Sequence, residues 1–172
     1  GYFALGGKIE MHLSTFANYA PTGSGLRQFP TLYVNDWYEA ADNSIQWRPF
    51  HLDSEFRNCI AYGNNANLTD FSEVILDLWD AQLYVDPLFT ASAIHHQEKN
   101  FPAWMIDAET TVNELPPFVN TALADFRIEG TASQWTGIPS TPEFSTLEVS
   151  VDLLGEPRNT LAPTKGCYER VP

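Results

Sequence analysis

The chain has 172 residues, 44% of them apolar and only 18% charged, which is material for one sizeable core and not for a long disordered tail. Nine basic residues against 22 acidic ones give a formal net charge of −13. That balance excludes a nucleic-acid groove and an anionic membrane surface as partners, since both need clustered Lys and Arg.

Period-two alternation of apolar and polar residues is the dominant pattern along the chain. Ile9, Met11 and Leu13 alternate with Glu10, His12 and Ser14, and predict a first strand preceded by the apolar arm Tyr2-Phe3-Ala4-Leu5 and the pair Gly6-Gly7. Ile45 and Trp47 alternate with Gln46 and Arg48. Asp70 to Glu73 has the spacing of a helix capping box, but Val74, Leu76 and Leu78 alternate and Ile75 is β-branched, so this segment is read as strand. Further alternation covers Trp104, Ile106 and Ala108, then Ala122, Ala124, Phe126 and Ile128, then Leu147, Val149, Val151 and Leu153. Ala20-Pro21-Thr22-Gly23, Asp86-Pro87, Pro116-Pro117 and Gly137-Ile138-Pro139 separate these runs with turn chemistry. No internal repeat, heptad or low-complexity run is visible. Short strands between turns predict an all-β, single-domain β-sandwich of jelly-roll or immunoglobulin-like layout with at most one short helix. Its parts are an arm and strand at 1–14, the body at 15–154 and a tail at 155–172.

No run approaches the roughly 20 consecutive apolar residues of a membrane-spanning helix, so no membrane insertion is expected. Gly1 in place of Met reads as the start of a processed chain. Together with the scarcity of Lys, confined to Lys8, Lys99 and Lys165, this points to an extracellular or cell-surface protein. In that setting Cys59 and Cys167 are expected to form one disulfide. Asn67-Leu68-Thr69 is an N-glycosylation sequon within a polar run, so Asn67 is a candidate glycosylation site.

Local catalytic signatures are missing: no nucleophile elbow, phosphate-binding loop, dinucleotide fingerprint or zinc-protease motif occurs. His12, His51, His95 and His96 are scattered, and adjacent histidines on a strand face opposite sides, so no metal site is expected. Asn35-Asp36, Asp42-Asn43, and Asp53 near Glu55 offer hard oxygens for a structural calcium without the regular loop spacing. No other cofactor is expected. The carboxylates could form a hydrolase pair, since catalytic spacing is spatial, but most occupy solvent-facing strand positions. The protein is therefore expected not to be an enzyme.

Two functional readings remain. Glycines at 6 and 7 would let the arm swing, and a strand leaving its own fold could complete the sheet of a sister molecule. Tyr2, Phe3, Leu5, Ile9, Met11 and Leu13 would then be the assembly residues of a structural, fibre-like or pilus-like subunit whose partner is itself. In the rival reading Trp47 and Trp104 are core, while Trp37, Tyr38 and Trp135, beside Asn, Asp and Gln, stack on sugar rings in a secreted carbohydrate-binding module with glycans as partners.

Overall fold

The computed structural model describes residues 2–4, 6–19, 29–51, 53–64, 72–97, 101–139 and 150–170. Strands of two to four residues predominate, in the order β1 (Tyr2–Ala4), β2 (Glu10–His12), β3 (Thr15–Asn18), β4 (Leu32–Asn35), β5 (Trp37–Glu39), β6 (Ile45–Trp47), β7 (Glu55–Arg57), β8 (Ile60–Gly63), β9 (Val74–Asp77), β10 (Phe89–Thr90), β11 (Ala93–Ile94), β12 (Thr111–Val112), β13 (Phe118–Asn120) and β14 (Asp125–Ile128).

The chain is all-β, but the expected two-sheet sandwich is not what these strands build. Three ladders, β1-β4-β9, β2-β7-β10 and β3-β8-β11-β12, are parallel at every pairing, and the chain visits them in rotation. Ile106 extends the second ladder by bridging to Phe89. Each circuit is one coil of a three-sided parallel β-helix, and successive coils stack about 4.8 Å apart. The antiparallel pairs β5-β6 and β13-β14 lie outside this stack. Alternation marks a strand with one buried face without revealing whether its neighbour is parallel or antiparallel, which is why the sandwich was the expectation.

Inward positions are fully buried in the middle coils, with Val34, Phe56, Phe89 and Ile94 at 0% exposure. Phe56 and Phe89, directly paired in the second ladder, stack with centroids 5.0 Å apart. A repeat of conformation connects the second ladder to the third. Leu13, Asn58 and Ala91 occupy the same corner of three coils, each with positive φ (49°, 54°, 45°). The next residue in each coil, Ser14, Cys59 or Ser92, is small and polar, and Thr110 stacks on Ser92 in the following coil. Cys59 Sγ lies 3.3 Å from the Met11 carbonyl, Ser92 Oγ donates to the Phe56 carbonyl (2.9 Å) and Thr110 Oγ1 to the Phe89 carbonyl (3.2 Å). Each group thus reaches the same position of the preceding coil. This stacking is the internal repeat that the sequence conceals behind connections of unequal length.

A second layer covers the outer face of the third ladder. Ile60, Tyr62 and Ala93 pack there against Ile128 and Trp135. The segment 164–167 then crosses the ladder as a strap. Lys165 Nζ donates to Ser92 O (3.1 Å), Glu109 O (2.8 Å) and Thr111 Oγ1 (3.0 Å), Gly166 N to Asn58 O (2.7 Å), and Cys167 N to Thr15 Oγ1 (3.0 Å). Gly166 has φ +92°, and a Cβ there would meet Thr15 Oγ1 at 2.5 Å and Ile60 Cδ1 at 2.9 Å.

Several expectations need correction at this level. Cys59 and Cys167 are free thiols: Cys59 points into the corner stack, and burial pushes its thiol up to about 12. The first strand is not a free arm, because β1, β2 and β3 pair with β4, β7 and β8 of the same chain. Gly6 is no swivel: it has φ +70° and closely approaches the Arg48 and Pro49 carbonyls. Residues 103–105 form a 3-10 turn that buries Met105 and leaves Trp104 exposed. Asn120 Oδ1 accepts from Ala122 N and Leu123 N (both 3.1 Å), so a turn replaces the start of the strand expected at 122. Val151 is exposed in an isolated antiparallel bridge to Pro157 and Leu153 in the turn that follows, while Leu147 and Val149 lie outside the described residues.

Candidate functional site

The clearest cluster of solvent-facing aromatics arises where consecutive coils leave the first ladder. In the second coil β4 runs through Asp36 into the hairpin β5-β6, in which Trp37 pairs directly with Trp47 and Tyr38 with Gln46. Side chains of directly opposed residues share a face, so Trp37 and Trp47 stand together and Tyr38 points to the other side. In the third coil β9 runs into Leu78-Trp79-Asp80. The Trp37 and Trp79 rings lie 6.0 Å apart at 55°. Trp47 is 47% exposed and Trp79 51%, an unusual amount of indole to leave in water without a partner.

Polar groups hold this shelf in place. The Asp36 carboxylate, fully buried, accepts from Trp79 N (2.8 Å) and from the Tyr84 hydroxyl (2.7 Å). Phe50 N donates in turn to Tyr84 Oη (3.0 Å), and Arg48 N to the Asp36 carbonyl (2.8 Å). Burial and then the bond to Asp36 push the Tyr84 hydroxyl well above the usual phenol range, so it remains a donor. Asp36 therefore ties the hairpin root to the third-coil loop. Beneath the rings, Trp37 Nε1 donates to Asp77 Oδ1 (3.0 Å), and Tyr33 Oη donates to Asp77 Oδ2. At the hairpin tip Asp42 Oδ1 accepts from Ser44 Oγ (2.6 Å) and Ser44 N (3.0 Å), which hold its carboxyl below the ordinary range.

A second concavity, about 490 Å³, lies along the second ladder and is lined by Lys8, Glu10, Asp53, Ser54, Glu55, Asp86 and Pro87. Glu10 and Glu55 are directly paired in register. Lys8 Nζ bridges Glu10 (2.7 Å) and Asp53 (2.9 Å), while Glu55 meets His12 (3.1 Å) and Arg57 (3.1 Å). Burial alone would raise Glu55, but the His12 hydrogen bond and the Arg57 charge outweigh it and hold the carboxyl below its usual range. Glu55 is thus suited to remain an anion in an ion-paired groove and unsuited to donate a proton. No group of three or more His, Cys, Asp or Glu side chains that could hold a metal occurs among the described residues.

The sequence-derived candidates divide clearly against this geometry. Trp37 lies at the centre of the shelf and Tyr38 on the reverse of its hairpin. Trp135, only 3% exposed, belongs to the second-layer core. Trp47 and Trp79 were missed as surface groups: alternation placed Trp47 inside, but a two-stranded hairpin outside the coil stack buries neither face. Trp104, also expected in the core, is 38% exposed. Of the expected assembly residues, Ile9 and Leu13 are buried and Met11 partly buried within the first coil; Phe3 is partly buried, and its ring lies 5.6 Å from that of Phe56. Only the backbone of Tyr2 is described, in β1; Leu5 and Asn67 lie outside the described residues.

No family model, curated protein or solved structure matches the chain. No helix among the described residues is long and apolar enough to cross a membrane.

Proposed function

We propose that the protein is a carbohydrate-binding module of the extracellular space or cell surface, without catalytic activity of its own. The observation that carries this reading is the shelf of exposed Trp47 and Trp79 about the half-buried Trp37, whose ring is pre-positioned by its bond to Asp77. An indole face stacks on the C–H face of a pyranose, and rings fixed before binding lose little conformational entropy. The Asp77 carboxylate under the rings offers remaining lone pairs to sugar hydroxyls. An immobilised-glycan panel tests the reading. The intact protein should bind at least one glycan, and Trp79→Ala and Trp47→Ala should each weaken that binding tenfold or more. Uniform absence of binding, or binding indifferent to both substitutions, contradicts it.

A second reading, a self-associating structural subunit, is supported by the first coil. Phe3, Met11 and Phe16 are only partly buried, whereas their stacked counterparts Val34, Phe56 and Ala61 are sealed. The outer edges of β1, β2 and β3 pair with no other described strand. Unpaired edges around an apolar end are a template for strand addition. Here that addition would extend a coil stack, without the first strand being donated. Light scattering across a concentration series should then show association that Met11→Arg suppresses. A monomer at every concentration contradicts this reading.

A further inference from the structure

Resting on the carbohydrate reading of the shelf, we propose a narrower ligand class: single, soluble chains of neutral sugars, and neither polyuronates nor crystalline polysaccharide surfaces. Two independent features of the site lead there.

The first is shape. A crystalline polysaccharide face is flat, and a binder for it needs rings lying in one plane. Trp37 and Trp79 instead meet at 55° with centroids 6.0 Å apart, and they rise from loops of consecutive coils, set about one coil spacing apart. Two surfaces turned against each other suit a chain whose successive rings rotate about the glycosidic bond. The framework of the arrangement is also held: Asp36 fixes the root of the hairpin and the backbone of Trp79 together, and the Nε1 bond to Asp77 anchors the Trp37 ring, against which Trp79 is tilted.

The second is charge. The segments that carry the shelf, 36–48 and 77–84, contain the carboxylates of Asp36, Glu39, Asp42, Asp77 and Asp80 and one guanidinium, Arg48. A chain of carboxylate-bearing sugars would bring like charge onto this rim and onto a molecule of net charge −13, a repulsion that grows as salt is lowered. Neutral hydroxyls carry no such cost and donate well to Asp77.

Affinity electrophoresis in gels containing xyloglucan, galactomannan, mixed-linkage β-glucan or polygalacturonate, alongside pelleting with microcrystalline cellulose, tests the class. The expected result is retardation by at least one neutral soluble polymer, reduced fivefold or more in Trp79→Ala, with no retardation by polygalacturonate and no pelleting. Circular dichroism checks that Trp79→Ala and a second variant, Trp47→Ala, remain folded. Retardation by polygalacturonate, or pelleting with cellulose, that disappears in Trp79→Ala overturns the proposed class while leaving the shelf as a sugar site. No binding to any polymer, or binding unchanged in both folded variants, overturns the class and the carbohydrate reading together.

Discussion

Cys59 shows how a single side chain takes its meaning from the stack. As half of a disulfide its loss would cost about 2 to 5 kcal/mol, but as a rung of the corner ladder it only has to be small and donate one hydrogen bond. Cys59→Ser should therefore change stability by less than about 1 kcal/mol in urea unfolding. Ser92→Ala should cost about 1 to 3 kcal/mol, because Ser92 is fully buried and its oxygen also accepts from Cys59 N at 3.0 Å. A large loss in Cys59→Ser would restore the crosslink as the better account. The same ladder explains why the repeat was illegible. Leu13-Ser14, Asn58-Cys59 and Ala91-Ser92 share a conformation and a side-chain bond to the carbonyl two residues earlier without sharing residue types, and two of the three positive-φ positions are held by Leu and Ala, which carry no signal for it.

At the level of elements, the strap shows what long-range packing adds to a segment with little pattern of its own. Gly166→Ala forces a Cβ onto Thr15 and Ile60 at a positive φ, and should destabilise by about 2 kcal/mol or more in thermal or urea unfolding. Lys165 gives the strap a pH signature. Burial lowers its folded value from 10.5 to about 8, so between these values the unfolded chain binds more protons and stability rises with pH. The Cys59 thiol, ordinarily near 9 and raised to about 12 in the fold, acts in the opposite sense over the same range, so the Lys165 contribution is read in a Cys59→Ser background, where unfolding free energy should climb between pH 8 and 9 by at most about 1.4 kcal/mol per pH unit. Lys165→Met should abolish the slope; a slope unchanged in that variant contradicts the assignment. Strands were legible only in part: β2, β6, β9 and β14 fall within alternating runs, but β3, β4, β7, β8 and β10 to β12 lie outside any such run, and the run at 104–108 begins in a 3-10 turn. Which face meets protein was not legible in the hairpin, where Trp47 follows the pattern of a core residue and stands in solvent. Trp135 errs in the opposite direction: it sits in a polar run, yet it is sealed beneath Ile128 and the strap by residues distant in sequence.

For the whole molecule, the coil stack converts sequence-distant loops into one surface. Trp37 and Trp79 become neighbours because β4 and β9 are adjacent rungs, and a reading that lacked the parallel register could find Trp37 but not its companions. The measurement that tests this most directly is hydrogen exchange with and without a saturating neutral soluble glycan. The account predicts added protection concentrated in residues 36–48 and 77–84, with the acidic groove at Glu10, Asp53 and Glu55 unchanged. Protection centred on that groove or on the first coil, with the shelf segments unaffected, would contradict it.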